Sequence, residues 1–237
     1  MVRLPLNFLR FKKKTKSLLG IDIGTSSIRV VELSKKDEKI VLDNYGEITT
    51  EQLKKLPLAQ FYSSNLVLSN KETAQAIRTI LKETGIQTKE VNFSIPDFSC
   101  FFIHFELPPM SLKELELAVR YEARSYIPIP LSEITLDWQI IEGKAQDHKE
   151  NKPLKILVAA IPNNILEQYQ SIATLSGLEI RSFEAEVFAL IRPLTVNGAK
   201  TLLIIDIGAR SSTCNIFEGS ILKTSHSFNI SGSDLTK

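Results

Sequence analysis

A strand-turn-strand element that occurs twice constrains this 237-residue chain more than any other feature. The first copy, residues 18–31 (LLGIDIGTSSIRVV), runs through Leu18, Leu19, Ile21 and Ile23 into a small-residue turn and returns through Ile28, Val30 and Val31. Apolar and β-branched runs around a short polar turn predict a hairpin. Asp22 stands inside the apolar run, where an ionised carboxylate is costly unless a cation or hydrogen-bond donors meet it. Gly24 lets the backbone turn tightly and approach a ligand, and Thr25, Ser26 and Ser27 offer hydroxyls and successive amides to phosphate oxygens. One such element is satisfied by an ordinary turn with a structural Asp. The second copy, residues 201–217 (TLLIIDIGARSSTCNIF), repeats the plan, with Asp206 and Gly208 standing 184 positions after Asp22 and Gly24. Two copies predict two similar halves facing a shared cleft, each presenting a carboxylate and a phosphate-holding turn.

Paired elements of this kind resemble the two phosphate motifs of the actin, Hsp70 and sugar-kinase fold. The resemblance implies an α/β, ribonuclease H-like architecture in which Asp22 and Asp206 hold Mg²⁺ through water. Gly24, Thr25, Ser26 and Ser27 would then receive phosphates from one side, and Gly208, Arg210, Ser211 and Ser212 from the other.

Charge is unevenly placed. The chain carries a net +2, yet Arg3, Arg10, Lys12, Lys13, Lys14 and Lys16 stand in the first sixteen residues without an acid among them. The remainder is therefore net negative, which gives no electrostatic case for nucleic acid. Residues 1–16 read as a disordered basic leader that touches anionic membrane surfaces weakly, because screening shortens the attraction to about 8–10 Å. No run of about 18 apolar residues predicts a membrane span, and the leader lacks the apolar core of a signal peptide. Cys100 and Cys214 read as reduced packed thiols, and His104, His148 and His226 form no zinc-ligand spacing. The expectation is a cytoplasmic protein.

After the first hairpin, Ser63–Leu68 passes into a helix with a capping box at Ser69 and Glu72, an apolar face of Ala76, Ile77, Ile80 and Leu81, and a stop at Gly85. A short strand follows at Val91–Pro96. Residues 97–162 then read as strand, helix, strand, strand. Phe101–Leu107 is the first strand; Ser111 and Glu114 cap a helix whose apolar side is Leu112, Leu115, Val119, Ala123 and Tyr126; Leu136–Ile141 and Lys155–Ile161 close the unit around a charged flexible stretch at Gly143–Lys152. Glu122 reads as an edge charge or as an acceptor of backbone amides at a junction. Asn163 or Asn164 caps the next helix, Gly177 ends it, and Glu179–Phe183 is a strand.

Residues 114–139 (ELELAVRYEARSYIPIPLSEITLDWQ), followed by 156–162 (ILVAAIP), closely resemble the PilM family of type IV pilus assembly proteins; residues 20–33 and Phe188-Ala-Leu agree with it. That family is similar to the division protein FtsA, an actin-like body with a small inserted subdomain of SHS2 type. The resemblance implies a core subdomain at 17–96 plus 163–197, an inserted unit at 97–162 and an incomplete second half at 198–237. It also implies an adaptor at the inner face of the cell membrane, peripherally attached, that takes the N-terminal cytoplasmic peptide of PilN between the core subdomain and the inserted unit and meets other pilus assembly proteins. Phe102 and Tyr126 are the expected peptide contacts. An FtsA-like division scaffold and, last, a small-molecule kinase are the alternatives.

A helix from about Glu184 to Leu190 is expected to cross toward the second half, past Pro193 and Asn197-Gly198. In actin-like proteins a polar side chain at the start of this crossing helix places the attacking water; Glu184 matches by position, with Glu186 second, and an N-terminal carboxylate favouring the helix dipole is the alternative. Ala209 and Arg210 stand where strong hydrolases carry glycine, and no Gly-Gly pair for an adenosine pocket occurs. The last residues, Ser231–Lys237, read as a helix start. A truncated second half is therefore expected to bind Mg-ATP feebly and not to hydrolyse it.

Overall fold

A computed structural model describes residues 17–37, 39–49, 51–52, 68–145, 152–194 and 200–236. The basic leader, most of Ser63–Leu68, most of the charged stretch after Gly143 and the Asn197-Gly198 crossing lie outside the described residues.

The chain order begins with strands β1 (Ser17–Ile23), β2 (Ser27–Lys36) and β3 (Lys39–Thr49), then helix α1 (Asn70–Thr84) and β4 (Glu90–Ile95). A one-turn 3₁₀ segment, Asp97–Ser99, leads to β5 (Phe101–Leu107), α2 (Leu112–Ala123), β6 (Ile134–Glu142) and β7 (Leu154–Pro162). Then come α3 (Asn163–Ser176), β8 (Glu179–Ala185), α4 (Glu186–Leu194), β9 (Thr201–Ile207), β10 (Ser212–Glu218), β11 (Ile221–Phe228) and α5 (Gly232–Leu235).

Alternation in β1 puts Leu19 and Ile21 on one face, and that face is buried against α1 and α3. The sheet runs β3-β2-β1-β4-β8, with β1, β2 and β3 antiparallel and β4 and β8 parallel to β1. Its core is closed by three aromatic rings: Phe93 meets Tyr169 edge-on at 5.4 Å and lies parallel to Phe183 at 6.5 Å. Each such buried ring contributes about 1.5–3 kcal/mol. Helix α1 starts with the Ser69–Glu72 capping box, and Gly85 ends it at φ 70°, a left-handed conformation that a Cβ would strain. Helix α3 departs from the sequence reading at its start. Its N-cap is Pro162, because Asn163 is engaged elsewhere: its amide donates to Ser132 O at 3.0 Å and accepts from Thr135 Oγ1 at 2.9 Å, tying the helix to β6.

The inserted sheet, β5-β7-β6, packs one face on Leu115, Val119 and Ala123 of α2. Leu112 and Tyr126, expected on that apolar side, are exposed; they flank the buried stripe instead of filling it. Among the described residues the Glu122 carboxylate accepts a single long bond, from the Tyr126 hydroxyl at 3.5 Å. The other face of β7 presents Leu157 to Val187 and Ile191 of α4 and to Phe217 and Leu222 of the third sheet, β11-β10-β9. Helix α4 thus stands where all three sheets converge.

Candidate functional site

The two repeated turns face each other across a cleft of about 600 Å³. Their geometry is the same. The Gly24 N–H donates to Ser27 O at 3.0 Å, and the Gly208 N–H donates to Ser211 O at 3.0 Å. The backbone approaches closely at both positions: a Cβ would lie a tight 3.1 Å from Ser27 O in the first turn and 2.7 Å from Ser211 O in the second, where something would have to shift. Thr25 and Ser26 line the cleft beside Gly24, and the buried Ser27 hydroxyl there has no partner among the described residues.

Asp22 and Asp206 both line the cleft. Burial lifts the Asp22 carboxyl above its ordinary value, and the charges of Asp206 and Glu47 add to that rise; Arg29 opposes it. Arg29 lies directly across the hairpin from Asp22 and reaches it at 3.3 Å while its Nε donates to Glu47 at 3.0 Å. The residue across from Asp206 is Thr213, also in the cleft, and no cation takes the place of Arg29 in the pairing. Among the described residues no three His, Cys, Asp or Glu side chains converge closely enough to ligate a metal directly. Asp22 and Asp206 are the two carboxylates that would hold a hydrated hard cation in this cleft.

The crossing-helix carboxylates resolve differently from the sequence expectation. Strand β8 continues through Ala185, pairing Glu184 with Ser94, so Glu184 stays in the sheet. It is held at both oxygens by Arg192 and does not border the cleft. Glu186 opens α4 and does border it. Burial first, then the charges of Asp22, Asp97 and Asp206, push its carboxyl up to about 8. A second correction concerns Ser212: its hydroxyl donates to Ile230 O at 2.6 Å, away from the cleft, while Ser211 and Arg210 remain on the wall. The start of α5 also forms this wall. The Gly232 N–H donates to Gly208 O at 2.9 Å and the Ser233 hydroxyl to Ala209 O at 2.8 Å, an arrangement with no local sequence signal beyond the Ser231 cap.

Two further hollows flank the inserted unit. One, of about 490 Å³, lies between β5 and β11 and contains both expected peptide contacts, Phe102 and Tyr126. Phe102 packs edge-on against Phe188 at 5.7 Å, and Tyr126 lies parallel to Phe105 at 5.8 Å. The other, of about 760 Å³, lies at the junction with α3 and is walled by Phe101, Ile129, Pro162 and Ile165. Phe102 and Tyr126 line the first hollow and not the second. Phe98, 56% exposed, borders both hollows and the cleft.

A family model described as type IV pilus assembly protein PilM matches residues 20–236. Among solved structures, a chain of the PilM-PilN type IV pilus biogenesis complex is similar with a TM-score of 0.77 and 25% identity over 94% of this chain; the match spans 64% of that chain's length. The cytoplasmic domain of EpsL, an inner-membrane component of the type II secretion system of Vibrio cholerae, is similar in fold, with a TM-score of 0.55, 10% identity, and coverage of 90% and 71% of the two chains. The architecture is that of the actin-like ATPase fold. No helix among the described residues is long and apolar enough to cross a membrane.

Proposed function

Because this chain belongs to the PilM family of type IV pilus assembly proteins, we propose that it is a nucleotide-binding adaptor that carries a PilN-type peptide at the cytoplasmic face of the inner membrane. The observation that carries the nucleotide half of this reading is the pair of matching turns with Asp22 and Asp206 on one cleft. Backbone amides and hydroxyls in such turns suit phosphate oxygens, and the two carboxylates suit hydrated Mg²⁺. Glu186, on the cleft at the head of α4, is the residue that would orient water; a protonated carboxyl at neutral pH makes it a poor base until a cation draws its proton off.

The peptide half rests on the hollow between α3 and the inserted unit, whose Phe101, Ile129 and Ile165 walls suit an apolar extended segment. Titrating the PilN N-terminal peptide of the same genome tests it. Saturable binding that weakens with Ile129→Ala and is indifferent to Tyr126→Ala is the expected result. The opposite pattern moves the peptide to the hollow between β5 and β11, and no saturable binding removes the adaptor reading.

A further inference from the structure

We propose that Asp97 is the positioning residue of the cleft, holding the head of α4 and the second hairpin at the separation from the first sheet that lets both turns face one ligand. The proposal rests on the nucleotide reading of that cleft. Asp97 is only 3% exposed and stands in the one-turn segment that follows β4, at the root of the inserted unit. One carboxylate oxygen accepts the Val187 N–H at 2.9 Å; the other accepts from Asn215 Nδ2 at 3.1 Å. Val187 is the second residue of α4, and Asn215, fully buried, lies on β10 just beyond the second turn. The Asp97 backbone also acts on the Glu186 carboxyl at the head of that helix, lowering it against the larger rise that burial imposes. One side chain thereby joins the first sheet, the crossing helix and the second half.

A carboxylate in this position is exacting. Buried charge is tolerated only where donors are already aimed at it, so both partners must stay in place for Asp97 to stay ionised. Burial lifts its carboxyl to about 6 even with those donors present, which marks how little solvent reaches it. The role is geometric, and it predicts that an amide serves nearly as well as the acid. In Asp97→Asn the side-chain oxygen still accepts from Val187. The new amide donor meets Asn215, whose Oδ1 is buried without a partner and becomes the acceptor when that amide turns over.

The test uses the full chain and three variants, Asp97→Ala, Asp97→Asn and Asn215→Ala, with Mg-ATP titrations followed by NMR and hydrogen exchange read segment by segment. Asp97→Ala and Asn215→Ala are expected to weaken Mg-ATP by about tenfold or more, the usual effect of removing a group that orients a ligand-binding residue. Their exchange should rise at the start of α4 and along β10 while α1 and α2 keep parental protection. Asp97→Asn should stay within about threefold of the parent, where pure loss of charge would not. Parental affinity in Asp97→Ala, an Asp97→Asn defect equal to that of Asp97→Ala, or exchange raised uniformly over the molecule overturns the proposal. If the parent itself shows no saturable Mg-ATP shifts, the nucleotide reading fails, and exchange alone then judges Asp97: a rise confined to α4 and β10 supports positioning and no rise refutes it.

Discussion

The two hairpins share a turn and differ in almost everything around it. In both, a glycine N–H closes on a serine carbonyl three residues later at 3.0 Å, and in both an Asp precedes the glycine by two positions. The strands that lead in diverge: Leu19 and Ile21 of β1 are each 1% exposed, whereas their counterparts Leu203 and Ile205 of β9 are 53% and 55% exposed. β1 has β2 on one side, β4 on the other and two helices over its apolar face; among the described residues β9 pairs with β10 alone. Turn geometry is thus a local property of Gly and Ser, and strand burial is a property of what packs on top.

Large-to-small substitution separates the two strands most strongly. Ile21→Ala leaves a cavity under α1 and α3 and should cost about 2–5 kcal/mol in denaturant unfolding. Ile205→Ala removes a half-solvated side chain and should stay within about 0.5 kcal/mol. Equal losses would mean that the β9 face is covered in solution.

The turns themselves should differ by less. A methyl at Gly208 meets backbone 0.4 Å closer than one at Gly24, 2.7 against 3.1 Å, so Gly208→Ala should destabilise by about 1–3 kcal/mol and Gly24→Ala by less. Thermal melts of the two variants check the order, and the reverse order would contradict the shared geometry.

Between the hairpins, acidity should tune stability. Glu186 is raised from 4.5 to about 8 and Asp97 from 3.8 to about 6. The folded state binds the extra protons, so their contribution is full below about pH 4 and is lost as pH rises through 6 for Asp97 and 8 for Glu186. Melting temperature should fall across pH 5 to 8.5, and Glu186→Gln should flatten the upper part of that slope. A slope unchanged by this variant would place Glu186 in solvent.

The smallest effect belongs to the cross-strand partners. Arg29 is exposed, and its bonds to Asp22 and Glu47 should contribute about 0–1 kcal/mol. Arg29→Ala should therefore barely move stability, yet raise the Asp22 carboxyl further, because its opposing charge is gone. NMR titration of the Asp22 carboxyl reads this directly, and an unmoved or lowered value would show that Arg29 does not act on it in solution.

What could be read from residues alone was what residues decide locally. The capping boxes at Ser69 and Ser111 join positions three apart, and both formed as expected. The Gly24 and Gly208 turns are equally short-range. Glu184 lies in the strand and not at the expected helix start because the end of β8 is set by parallel pairing with β4, which draws Ser94 and Ile95 against Glu184 and Ala185 and delays the helix by two residues. Asn163 looked like a cap, and a hydroxyl from β6 claimed it instead. Asp97 left only the signal of an acid between Pro96 and Phe98 among apolar residues; its partners lie 90 and 118 positions away, and no local pattern encodes them. Arg29 was the missed clue that seven-residue spacing in a hairpin could have supplied.

The central claim, that the two dissimilar hairpins serve one ligand, is tested most directly by titrating Mg-ATP into the parent, Asp22→Ala, Asp206→Ala and the double variant, with amide shifts of Gly24 and Gly208 read together. A shared site predicts that both amides titrate with one common constant, that either substitution weakens the response at both turns, and that the double variant is less than additive. Shifts confined to one turn, or a variant in one hairpin that leaves the other hairpin's titration unchanged, would contradict it.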